Sequence, residues 1–175
     1  VLELEPGHPE ALNILGLAYI QLEDYPAAAE ALEKSVEIKP DFPDSHLNLG
    51  RIYERLNRPE QAAASYEKAF QLGESAEAAF SLAKLLFDQD KLEDALVYAG
   101  KAAEKNQSVE IYNLMGVIFN KMGRYEEAIG AFDRAIQISP KDIITRMNLG
   151  IALVNAGNYD RARNVFEYIL PYVED

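Results

Sequence analysis

From Ala11 to Leu32 apolar side chains recur at helical spacing, as at Ala11, Leu12, Leu15 and Tyr19, then, after the polar break Glu23-Asp24, at Ala28, Ala31 and Leu32. Steps of three and four residues are the period of one helix face, and a polar break is where a chain turns. The stretch therefore predicts two short amphipathic helices joined by a tight turn. Similar breaks recur at "EDYP", "NRPE", "DQDK", "MGRY" and "AGNY", while "IKPDFP" and "ISPKD" stop the second helix with proline. The predicted pairs are 10–22 with 26–38, 44–57 with 60–72, 76–88 with 92–104, 109–122 with 126–138, and 143–156 with 160–172.

A small residue preceded by Leu or Met sets the register: Gly16, Gly50, Ala83, Gly116 and Gly150, at spacings of 34, 33, 33 and 34 residues. Twelve residues after each stands alanine: Ala28, Ala62, Ala95, Ala128 and Ala162. Three after stands Tyr19, Tyr53, Leu86, Phe119 or Leu153, and sixteen after stands Leu32, Tyr66, Ala99, Phe132 or Phe166. A fixed period of this length marks a repeat array, in which one unit cannot bury its apolar face alone and stacking supplies the core. Glycine inside a helix costs roughly 0.5–1 kcal/mol relative to alanine, so its use at four of five sites implies close helix approach. The alanine twelve residues on is the expected facing partner.

Composition narrows the function. The chain has 175 residues, 49% hydrophobic and 26% charged, which fits a globular domain or a short array and leaves no stretch for a membrane span. With 29 acidic against 17 basic residues the formal charge is -12, which disfavours nucleic acid and anionic membrane surfaces as partners. Cysteine is absent and the two histidines, His8 and His46, stand far apart, so neither a disulfide, a thiol nucleophile, a metal nor any other cofactor is expected. Phosphate-binding glycine loops, Gly-x-Ser-x-Gly and His-Glu-x-x-His are all missing. Acidic pairs such as Glu93-Asp94 and Glu126-Glu127 open second helices, where carboxylates complement the helix dipole. Localisation is not written in these residues.

The glycine, the large residue three after it, the alanine twelve after and the aromatic sixteen after, with Pro40 and Pro140 twenty-four after, resemble the tetratricopeptide repeat. The resemblance covers nearly the whole chain and implies an all-α, right-handed α-solenoid of about five units, near 9–42, 43–75, 76–108, 109–142 and 143–175. The third departs most, with Ala83, Ala99 and one residue fewer. "LELEP", Leu2 to Pro6, matches "VEIKP", Val36 to Pro40, so residues 1–8 read as the end of a preceding unit.

The resemblance further implies a non-enzymatic protein-interaction module whose first helices line a concave groove for a peptide or helix of a partner. Helix geometry assigns the groove row to Asn13 and Leu17 in the first unit, Leu47 and Arg51 in the second, and Phe80, Lys84 and Phe87 in the third. Asn113, Val117 and Asn120 follow in the fourth, then Ile144, Met147, Ile151 and Val154 in the fifth. Such a row suits a protein ligand with apolar anchors. A carboxylate clamp of lysines, asparagines and arginine does not fit, because the corresponding residues are Asn13, Leu17, Asn48, Glu77 and Ser81. Nor does a continuous asparagine ladder, since Asn48 and Asn148 alternate with Ile14, Ser81 and Leu114. In the fifth unit Tyr168 replaces the basic residue of the others and lies between Val165 and Tyr172, making a self-associating scaffold the alternative. A regulatory region of a larger protein is a further alternative.

Overall fold

The structure, a computed structural model, describes residues 8–172, so the "LELEP" segment and the last three residues lie outside the described residues. Among the described residues it is all-helical. The chain divides into two compact units, residues 1–85 and 86–175. The first contains α1 (Pro9–Gln21), α2 (Tyr25–Ile38), α3 (Pro43–Arg55), α4 (Pro59–Gly73) and most of α5 (Ala76–Asp88). The second contains the end of α5, then α6 (Leu92–Lys105), α7 (Val109–Lys121), α8 (Tyr125–Ile138), α9 (Ile143–Asn155) and α10 (Tyr159–Ile169), closed by a 3-10 turn Leu170–Tyr172. The predicted helices are found within a few residues at each end.

Local chemistry accounts for where they start and stop. Proline opens α1, α3 and α4 at Pro9, Pro43 and Pro59, where a missing N–H costs nothing. On α2 and α9 a side chain caps the first turn: Ala27 N–H donates to Asp24 Oδ1 (3.1 Å), and Thr145 N–H to Asp142 Oδ2 (2.9 Å). The turn inside each pair places the residue seven after the register position in left-handed backbone, at Glu23, Asn57, Asp90, Gly123 and Gly157. Only Gly123 and Gly157 adopt φ of +74 and +77° without a side-chain penalty.

The core corrects one expectation. The groups nearest to a Cβ placed on the register glycine come from the side chain sixteen residues on, not from the alanine twelve on. At Gly16 they belong to Leu32, at Gly50 to Tyr66, at Gly116 to Phe132 and at Gly150 to Phe166, with closest approaches of 2.4–2.6 Å. A side chain this close to the first helix fills the space that a Cβ would take. The alanines stay essentially fully buried because they hold the second helix close enough for that ring to reach. In the second unit Ala128, Ile129, Phe132, Leu149, Ala152, Leu153 and Ala162 form one cluster, against which Val117, Phe119 and Phe166 pack.

Candidate functional site

The predicted groove row does not form one uniform surface. In the first unit Asn13 is buried, because Asn48 Nδ2 donates to Asn13 Oδ1 at 3.0 Å across α1 and α3. Asn48 Oδ1 in turn accepts from Arg51 Nη1 (3.1 Å), and Arg51 Nη2 donates to the Glu77 carboxylate on α5. This relay fixes three first helices to one another. Leu47 and Phe80 are half-buried, whereas Leu17, Arg51 and Lys84 are exposed. Together α1, α3 and α5 surround a cavity of about 540 Å³, lined by Leu17, Ile20, Gln21, Arg51, Ile52, Glu54, Arg55 and Lys84.

Below that cavity the buried Tyr66 ring covers Gly50, and its hydroxyl donates to the Glu54 carboxylate. Burial, reinforced by that carboxylate, pushes the Tyr66 phenol well above its ordinary range. Tyr53 is raised to about 12 for the same two reasons, its hydroxyl donating to Glu33 Oε1 at 2.9 Å. Both rings therefore stay neutral and act as donors that orient acids.

In the second unit the row turns apolar on α9. On α9, Ile144, Met147, Ile151 and Val154 are 65, 38, 44 and 43% exposed, while Leu149, Ala152 and Leu153 on its other side fill the core. On α7, Val117 is partly buried against the core and Asn113 and Asn120 are half-buried. Each asparagine accepts from one on α9: Asn148 Nδ2 donates to Asn113 Oδ1 and Asn155 Nδ2 to Asn120 Oδ1, both at 3.0 Å. Phe87 is half-buried under the Lys121 ammonium, 5.1 Å from its ring centre.

Sequence reasoning missed these amide rungs. It compared equivalent positions one period apart, whereas the rungs run diagonally at 35 residues, joining residues 13 to 48, 113 to 148 and 120 to 155. Looking for asparagine pairs one residue beyond the period would have revealed them. Of the self-association patch, Val165 packs partly against the core, leaving Tyr168 and Tyr172 exposed with ring centres 6.1 Å apart. The Arg146 guanidinium lies 4.3 Å over the Tyr168 ring.

The acidic pairs stand at helix starts. Glu93, Asp94, Glu126 and Glu127 occupy first turns of α6 and α8. Arg124 lies beside Glu127 and holds its carboxyl below the usual value. His46 Nε2 meets the Pro40 carbonyl at 2.9 Å. Among the described residues no His, Cys, Asp and Glu group is arranged to hold a metal, and no helix is long and apolar enough to cross a membrane.

Paired helices recurring every 33–34 residues, with a ring seated on a helical glycine, define an α-helical repeat protein. Family models described as tetratricopeptide or TPR repeat match residues 16–57, 47–111, 109–142 and 144–167, and the chain belongs to the tetratricopeptide repeat family. A TPR repeat-containing protein of Methanocaldococcus jannaschii is 26% identical over 87% of this chain and 29% of its own length. The peroxisomal targeting signal receptor of Candida albicans is 29% identical over 92% of this chain and 29% of its own. The crystal structure of MamA protein matches with a TM-score of 0.88 and 26% identity, covering 93% of this chain and 90% of that one. The chain spans less than a third of the length of these curated relatives.

Proposed function

We propose that the chain is a non-enzymatic protein-interaction module whose first-helix faces hold an extended or helical segment of a partner protein through apolar anchors. The observation that carries this reading is the α9 stripe. Four consecutive row residues, Ile144, Met147, Ile151 and Val154, stand 38–65% exposed on a helix whose opposite side already fills the core. The exposed part of such a stripe is left outside the core, and burying it is worth about 25 cal/mol per Å² to whatever covers it. Leu17, also exposed, offers the corresponding anchor in the first unit. The receptor named among the relatives binds a targeting signal, which agrees with a peptide-holding role.

Selection from a displayed random dodecapeptide library tests the proposal. Peptides recovered on the wild-type chain should lose binding at least tenfold to Leu17→Glu or to Ile151→Glu, each checked for unchanged helicity. Peptides indifferent to both substitutions sink it. A second reading rests on exposed Tyr168 and Tyr172: a self-associating scaffold. Sedimentation velocity over a hundredfold concentration range decides it, since a strict monomer throughout removes that reading.

A further inference from the structure

The charges of the first unit's cavity run against those of the chain. Arg51, Arg55 and Lys84 face one carboxylate, Glu54, in a chain whose formal charge is -12. What those groups already touch matters more than their number. Arg51 is held by Asn48 and Glu77, and Glu54 accepts the Tyr66 hydroxyl. Neither Arg55 nor Lys84 has a hydrogen bond or ion pair to any described residue. Lys34, Lys39, Lys121, Arg124 and Arg161 each reach a carboxylate, and while Lys68, Lys91, Arg134 and Lys141 do not, Arg55 and Lys84 line one cavity together. Two unpaired cations therefore stand at the rim of a cavity whose apolar side is Leu17 and Ile20.

We propose that this cavity takes an acidic segment of a partner protein, in which an aspartate or glutamate lies beside an apolar residue. The carboxylate pairs with Arg55 and Lys84, and the apolar side chain lies on Leu17 and Ile20. A volume of about 540 Å³ falls within the range of sites that accept a few side chains. The pre-fixed Arg51 borders the site without having to reorganise, because the Asn48–Arg51–Glu77 relay already sets its conformation. Electrostatics makes the sign of the ligand diagnostic. A net charge of -12 repels an acidic segment at long range, so preference for acid arises only from the local cations.

The proposal rests on the groove reading above and adds the chemistry of the ligand. The same dodecapeptide library is selected on the wild-type chain, and peptides that depend on Leu17 are sequenced. Aspartate and glutamate should be enriched at least twofold over the input next to Leu, Ile, Met or Phe. For a synthetic copy of one such peptide, followed by fluorescence anisotropy, R55E/K84E should weaken binding about tenfold or more, and raising NaCl from 50 to 300 mM should weaken it severalfold. Both positions are exposed, so the double variant keeps its fold, and R55Q/K84Q provides a milder second reading of the same effect. Leu17-dependent peptides with no acidic enrichment, or unaffected by R55E/K84E, overturn the proposal and leave the groove in place. Failure to recover any Leu17-dependent peptide overturns both for this unit. Tighter binding of a labelled oligothymidylate than of the selected peptide also overturns it, in favour of a nucleic acid.

Discussion

Helices α3 and α9 hold the same place in their repeats, one hundred residues apart, and change in character on one side only. Leu49, Gly50, Ile52 and Tyr53 correspond to Leu149, Gly150, Ala152 and Leu153, all buried. Asn48 and Asn148 each donate to the asparagine 35 residues earlier. On the outer side Asp44, Arg51, Glu54 and Arg55 become Ile144, Ile151, Val154 and Asn155. The inner side is constrained by a ring that must lie on glycine and by amides that must pair. The outer side meets these constraints at only a few points, Arg51, Glu54 and Asn155, so it is freer to diverge, and it makes one surface charged and the other apolar.

The largest effects should come from the part the two helices share. A Cβ at Gly50 would stand 2.4 Å from the Tyr66 ring, which is fully buried and has nowhere to go. Overpacking of that kind costs about 1–3 kcal/mol, offset only by the roughly 0.5–1 kcal/mol that alanine gains over glycine in a helix. Gly50→Ala should therefore lower stability by about 2 kcal/mol in urea unfolding. Gly150→Ala should cost about 1 kcal/mol, because the half-buried Phe166 can yield at its tip. Gly100→Ala and Gly130→Ala meet nothing within 4 Å and should raise stability by about 0.5 kcal/mol each. If all four behave alike, ring-on-glycine packing is not what defines the shared side.

Next comes a place where inner and outer sides are coupled through the buried ring. Tyr66 carries a hydroxyl where Phe166 does not, and Glu54, which receives it, stands where the other copy has Val154. Tyr66→Phe should cost about 1 kcal/mol, below the usual worth of a hydrogen bond to a charged group because the exposed Glu54 carboxylate can turn to water. Phe166→Tyr alone should also destabilise by about 1 kcal/mol, since its hydroxyl finds no carboxylate, and Phe166→Tyr/Val154→Glu should recover most of that loss. A double variant that is merely the sum of its parts would separate the two sides completely.

How much of this was legible beforehand follows from the same division. The helices, their turns and the register glycine were legible because periodicity and turn residues act locally. The residue seated on that glycine was misassigned: alanine and ring both lie on the second helix, and only packing decides which of them meets the first. The rungs at Asn13, Asn113 and Asn120 went unseen because a diagonal contact is invisible to a comparison of equivalent positions. The α9 stripe was legible because exposed apolar residues at helical spacing break the pattern of the other copies. The unpaired state of Arg55 and Lys84 was not, since a pairing depends on which carboxylates come within reach.

A smaller difference separates the two helix starts. Asp142 caps α9, whereas its counterpart Phe42 offers α3 no side-chain acceptor. Removing a cap costs about 0.5–2 kcal/mol, and the partly exposed Asp142 belongs near the lower end. Asp142→Ala should lose about 0.7 kcal/mol, and Phe42→Asp should gain a few tenths, less whatever the Lys39 ammonium 4.9 Å from the Phe42 ring contributes. Urea midpoints of the two variants measure the asymmetry directly. A gain at Phe42 as large as the loss at Asp142 would mean that the ring contact contributes nothing.

The smallest effect on stability should accompany the largest on recognition. Ile151→Arg/Val154→Glu writes the outer side of α3 onto α9 at positions 44 and 43% exposed. Surface exchanges away from caps and cores usually stay within about 0.5 kcal/mol, so the melting curve should hardly move. Peptides selected on the wild-type chain through the α9 stripe should nevertheless lose binding by tenfold or more. The reverse exchange, Arg51→Ile/Glu54→Val, breaks the Arg51–Glu77 contact and strands the Tyr66 hydroxyl, and it should cost about 1–2 kcal/mol. The exchange is thus asymmetric: α9 can accept the polar side of α3 without loss, whereas α3 cannot accept the apolar side of α9, because its outer charges also hold its neighbours. Equal stability changes in the two directions would show that the charges on α3 are decoration of its surface and play no part in fixing α1, α3 and α5.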